Sequence, residues 1–131
     1  MTVVVGYVPG PSGEAALEAA LAEADRRREP ILVVNVGLPD AANDPRFLDE
    51  GGRGRLADRL LFAGADFEIE QLVRGKDPAE ELVEAAARVG ASVLVIGMRR
   101  RSPTGKLLFG SQAQRVLLDA ECRVLAVKAP R

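Results

Sequence analysis

Histidine is absent from this 131-residue chain, and cysteine occurs once, at Cys122. Without imidazole, a Ser–His–Asp constellation and the common zinc sites are excluded. A single thiol excludes an internal disulfide and any thiolate cluster for a metal. With no histidine to activate it, Cys122 reads as a structural or partly buried thiol rather than a nucleophile. Tryptophan is missing, and one tyrosine and four phenylalanines are too few for the stacking platforms that hold single-stranded nucleic acid. No apolar run approaches the ~20 residues of a membrane span. The start, MTVVVGYV, lacks the basic flank and longer apolar stretch of a secretory signal, so cytoplasmic residence is the expectation. Charge of neither sign dominates: the formal net charge is −1. That balance argues against a general attraction to nucleic acid or to an anionic membrane, and neither is expected as a partner.

What is present is an alternation. The chain is 47% apolar, enough for one domain over residues 1–131 with a single core. Five short apolar runs, at residues 3–8, 31–36, 67–73, 92–97 and 123–128, alternate with four helix-like stretches. In the first stretch Leu17, Ala20, Leu21 and Ala24 recur at helical spacing. Leu56, Leu60 and Ala63 mark the second, although Gly51, Gly52 and Gly54 blur its start. The third has Asp77 as a candidate cap, Pro78 in the first turn and Glu80 three residues after the cap, with Leu82, Ala86 and Val89 on one face and Gly90 to end it. The fourth takes Ser111 as cap and Gln114 three residues on, with Val116 and Leu117 facing inward. Residues 38–54 read as an irregular surface connection.

Strand–helix alternation implies right-handed crossovers and a parallel sheet covered on both faces. VVVGYV, ILVVNV and SVLVIG are nearly all apolar and suit central strands. FEIEQLV alternates, and RVLAVK is short with a charge at each end, so both suit edges. The expected fold is α/β, a doubly wound five-stranded parallel sheet of order 3-2-1-4-5. In such a sheet ligands bind beyond the carboxyl ends where the order reverses, between strands one and four.

The stretch GMRRRSPTGKLLFGS, residues 97–111, leaves that crevice. A glycine closes the strand, Arg99, Arg100, Arg101 and Lys106 fill the loop, and Gly110-Ser111 opens a helix. Glycines let backbone approach a phosphate closely, and a helix N-terminus offers unpaired N–H groups. The arginine run clamps phosphates or is a solvated loop in a chain with fifteen arginines against three lysines. Gly105-Lys106 is not a P-loop, because Leu107 stands where Ser or Thr would ligate magnesium. Gly10-Pro11-Ser12-Gly13 lacks the dinucleotide spacing and reads as a strand-to-helix turn. Ser111 serves a phosphate, a cap, or both.

These residues resemble the universal stress protein family, most specifically in the segment VLVIGMRRRSPTGKLLFGSQAQRVLLDAECRVLAVK. Members of the family carry Gly-x-x-Gly, a nine-residue spacer and Gly-Ser/Thr after strand four. In relatives that bind ATP the pattern wraps phosphates and ribose, while an aspartate ending strand one and an apolar residue ending strand two hold the nucleoside. Gly97, Gly110 and Ser111 match, and Val36, beside Asn35, fits the strand-two position. Arg100 replaces the second glycine and Val8 replaces the aspartate. The resemblance therefore implies ATP or another adenine nucleotide around Gly97, Met98, Arg99, Arg100, Gly110, Ser111 and Gln112, with Gly6, Tyr7, Val8 and Val36 on the nucleoside side. Magnesium is expected only with a bound nucleotide. The resemblance also implies a homodimer through residues 123–128, and an exposed edge strand independently favours such pairing. Val8 and Arg100 favour the second reading, an interaction protein of the same family that does not bind ATP and engages unknown protein partners. An enzymatic role, at most slow ATP hydrolysis, has no recognisable carboxylate or metal-ligand set near the loop.

Overall fold

The computed structural model of the chain describes residues 1–37, 46–98 and 110–130. Five strands and four helices follow one another as β1 (Thr2–Gly6), α1 (Pro11–Arg27), β2 (Ile31–Val36), α2 (Glu50–Phe62), β3 (Phe67–Leu72), α3 (Pro78–Val89), β4 (Ala91–Met98), α4 (Ser111–Asp119) and β5 (Arg123–Lys128). All pairings are parallel and the sheet order is β3-β2-β1-β4-β5. The fold is the doubly wound α/β arrangement expected from the alternation.

Side chains of successive strand residues leave the sheet on opposite faces, and the two faces build two cores. On one, Val3, Val5, Ile31, Val33, Val93 and Val95 meet Leu17 and Ala20 of α1 and Leu56 and Leu60 of α2. On the other, Val4, Leu32, Val34, Leu94 and Ile96 meet Ala85 and Ala86 of α3 and Val116 of α4. Burial on both sides explains why β1, β2 and β4 read as unbroken apolar runs. β3 and β5 are the edges, with only partly buried or exposed residues.

Several local expectations are corrected. Asp77 stands at the N-cap of α3 but its side chain makes no capping bond; it pairs with Arg115 of α4 instead. Gly110, not Ser111, is the N-cap of α4, and Ser111 is its first helical residue. Leu117 is 42% exposed, because the short α4 buries only the stripe that carries Val116. Ala63 is an exposed C-cap rather than part of the apolar face of α2. The stretch expected to be irregular contains the start of α2, which Asp49 caps by accepting from the Gly52 amide at 2.7 Å. The cap overrides the low helix propensity of three glycines.

Candidate functional site

Where the strand order reverses, the carboxyl ends of β1 and β4 border a cleft of about 330 Å³, at the low end of the range for small-molecule sites. Val8, Val34, Val36 and Ile96 give it apolar surface, α3 contributes Ala79 and Leu82, and Gly110, Ser111 and Gln112 bring in the start of α4. A broader groove of about 560 Å³ runs between α2 and the amino end of β3, lined by Arg53 and Phe67, away from these strand ends.

Gly6, Tyr7, Val8, Val36, Gly97, Met98, Gly110, Ser111 and Gln112, all singled out in the sequence, line the one cleft. Arg99, Arg100, Arg101 and Lys106 lie outside the described residues. Sequence reasoning missed the contributions of Ser12 and Gly13 from α1, Pro78 and Ala79 from α3, and Arg46. Proline at the start of α3 marked a helix entry but not its position over the sheet. Arg46 carried no signal, since it belongs to no periodic segment.

The first turn of α1 lies directly on the strand ends. A Cβ on Gly97 would stand 2.2 Å from the Ser12 carbonyl oxygen, and one on Gly13 would stand 1.7 Å from that of Val8. Both contacts are with backbone, so neither relaxes through a rotamer change. Gly97 thus serves the approach of helix to sheet as well as any approach of ligand to backbone.

Beneath the cleft, Asn35 is completely buried and fully engaged. Its Nδ2 donates to the carbonyls of Tyr7 and Arg46, each at 2.9 Å, and its Oδ1 accepts from the Leu48 amide at 3.3 Å and from Gln71 Nε2 at 3.1 Å. Gln71 Nε2 also donates to the Leu48 carbonyl at 2.6 Å. A buried amide so placed forms four bonds that water would otherwise supply, which fixes the returning chain at 46–48 over the ends of β1, β2 and β3.

Tyr7 lines the cleft, but its hydroxyl donates to Glu14 at 2.5 Å. Burial, reinforced by the hydrogen bond and the negative charge of Glu14, holds the phenol proton up to about 12. Glu14 in turn accepts from Arg59, which also reaches Glu18. Burial, the largest single influence, pulls the Arg59 guanidinium down; the Glu14 hydrogen bond and the negative charges of Glu14 and Glu18 together outweigh it, and the net shift is upward. On the far wall, Gln112 Oε1 accepts from the Ala79 amide at 2.8 Å and Arg115 pairs with Asp77, so α4 is tied to the first turn of α3.

The first helical bond of α4 runs from the Gln114 amide to the Gly110 carbonyl at 3.1 Å. The amides of Ser111, Gln112 and Ala113 precede that ladder and stand at the cleft with the positive end of the helix dipole. Arg46 is the one charged residue among the described lining residues, and no carboxylate is among them. No cluster of three metal-ligating carboxylates or cysteines occurs among the described residues. The described surface therefore presents donors and apolar walls, chemistry suited to holding an anion joined to a flat apolar group.

The universal stress protein family model matches residues 1–128. The chain belongs to the universal stress protein family. A universal stress protein of Mycolicibacterium smegmatis is 47% identical over 126 residues, covering 96% of each chain. Among solved structures, a universal stress protein from Archaeoglobus fulgidus in complex with dAMP is 30% identical, with a TM-score of 0.65 over 98% of both chains. A universal stress protein in complex with cAMP is 27% identical, with a TM-score of 0.75 over 99% of this chain and 98% of the other. In this universal stress protein Val8, partly buried at the cleft, stands where the resemblance implies an aspartate.

Proposed function

We propose that this universal stress protein is a small cytoplasmic regulatory module of the stress response that binds an adenine nucleotide in the cleft between β1 and β4. The observation that carries the reading is the opposition, within one cleft, of the first-turn amides of α4, which precede its helical ladder, and the apolar surface of Val8, Val34 and Val36. Phosphate oxygens are received by the helix N-terminus, and the base lies toward the end of β2. Family members in complex with dAMP and with cAMP support the adenine assignment. Magnesium, where present, enters with the phosphates.

Val8 favours a second reading, an interaction protein of the same family with an idle nucleotide cleft. A lost buried acceptor weakens a ligand by roughly one to two decades of affinity. Two measurements separate the readings: mass spectrometry of nucleotide released from the purified, undialysed protein, and calorimetric titration with ATP. Near-stoichiometric ATP, ADP or AMP is the expected result; no released nucleotide and no binding heat at millimolar ATP would move the chain to the second reading. Arg100 then has a role to assign. As a phosphate ligand, its replacement in Arg100→Ala weakens ATP binding and its salt dependence together. As an obstruction, Arg100→Gly combined with Val8→Asp strengthens binding.

We also propose a homodimer paired through β5. Among the described residues that strand has no paired strand on its outer side, and it carries Leu125, 36% exposed. The opposite edge is less receptive, since the Ile69 carbonyl of β3 already accepts from Arg53 Nη2 at 3.1 Å.

A further inference from the structure

Where α3 and α4 meet at the wall of the cleft, capping is done from the other helix. Asp77 stands at the N-cap of α3, where a carboxylate ordinarily accepts from a first-turn amide. The Ala79 amide is instead held by Gln112 Oε1 at 2.8 Å, and Asp77 is paired with Arg115. Asp77 Oδ1 is left buried with no hydrogen-bond partner. An orphaned buried acceptor is costly, and helix stability does not account for it, because α3 carries its own capping residue. What the exchange achieves is to fix Gln112. Pro78, Ala79 and Gln112 all line the cleft. An N–H is met only by the carbonyl arm of a carboxamide, so Nε2 is the arm left over. No described residue accepts from it.

Resting on the nucleotide reading above, we infer that the Gln112 side chain is a ligand-binding residue: α3 holds its Oε1, and its Nε2 donates to the phosphate joined to the nucleoside. The main-chain amides at the start of α4 receive the same group from the helix side. At about 330 Å³ the cleft is small for a ligand site, so the phosphate nearest the nucleoside is the one within reach. A carboxamide brings donors without charge, and it recognises a phosphate oxygen by direction rather than by field. The tie to Ala79 orders the side chain before the ligand arrives, which spares the entropy of fixing it on binding. The unpaired Asp77 oxygen is then a cost in stability that serves the site.

The test is calorimetric titration of wild type, Gln112→Ala and Gln112→Glu with adenosine, AMP and ATP, after circular dichroism has shown each variant folded. Gln112→Ala is expected to weaken AMP and ATP by a similar factor, about five- to thirtyfold, and to leave adenosine within twofold wherever it binds. Gln112→Glu is the sharper variant. A carboxylate still accepts from Ala79, so the tie between the helices survives, but the donor arm becomes an anion facing the phosphate. It is expected to lose more AMP and ATP affinity than Gln112→Ala, and it decides the matter alone if the alanine variant does not fold. A purely structural tie predicts the reverse order, and wild-type affinities retained by Gln112→Glu would overturn the inference. So would AMP binding unchanged in Gln112→Ala, or a loss that adenosine shares, each leaving the nucleotide reading intact. A wild type that binds none of the three would overturn both, and the wild-type titration by itself reveals that case.

Discussion

Gly97 and Tyr7 illustrate how single positions near the cleft are constrained from the side opposite the ligand. Adding a methyl at Gly97 places it 2.2 Å from the Ser12 carbonyl, so α1 must lift off β4. Gly97→Ala is expected to cost about 2 kcal/mol or more, read as a lowered urea midpoint. The sequence marks Gly97 as a strand-ending glycine, but its partner is backbone from a distant segment, which no local pattern announces. Tyr7 makes a cleaner probe, since the chain has one tyrosine and no tryptophan. Its proton is held to about 12 by burial and then by Glu14, against about 10 in an unfolded chain. The sign follows: the stabilisation is complete below pH ~10 and is lost as pH rises toward 12. Phenolate absorbance in the folded protein is therefore expected to rise nearer pH 12 than 10. Tyr7→Phe should lose about 1 kcal/mol at neutral pH and flatten the alkaline decline in stability; a phenolate titration near 10 in the folded protein would contradict this.

Elements are held in register around the site by polar groups that periodicity does not see. Glu81 of α3 has a side chain with no exposure, paired with Arg74 through Nε at 3.0 Å and through Nη2. The Arg74 hydrogen bonds outweigh burial and hold the Glu81 carboxyl below the ordinary range. A depressed carboxylate contributes stability above its unfolded pKa and loses it as pH falls through the folded one. Glu81→Gln is expected to destabilise by about 1–2 kcal/mol at pH 7. In urea titrations the difference should shrink below pH ~4, and a pH-independent gap would contradict it. The apolar stripes of α1 and α3 were legible because Leu17, Ala20, Ala24 and Ala86 repeat at helical spacing and are buried. The ends were not. Asp77 had the composition of a cap, yet Arg115 from another helix claims its carboxylate, and Arg46 was hidden because its main chain is held by a tertiary bond from Asn35.

For the molecule as a whole, strand order was readable from composition: runs apolar on both faces fell in the centre, and alternating or charge-flanked ones at the edges. The position of the cleft followed from that order, and the residues expected there converge on it wherever they are described. Association was less legible, because it depends on which edge is open. Leu125→Lys on the exposed edge is expected to convert the proposed homodimer to monomer in equilibrium sedimentation at micromolar concentration. A monomeric wild type would end the proposal. The Arg53 contact on the Ile69 carbonyl then acquires a meaning beyond β3 itself. A subunit with two equally open edges is bivalent and can polymerise, whereas in the proposed homodimer the less receptive β3 edge disfavours a second pairing, so that growth into a fibre stops at two chains.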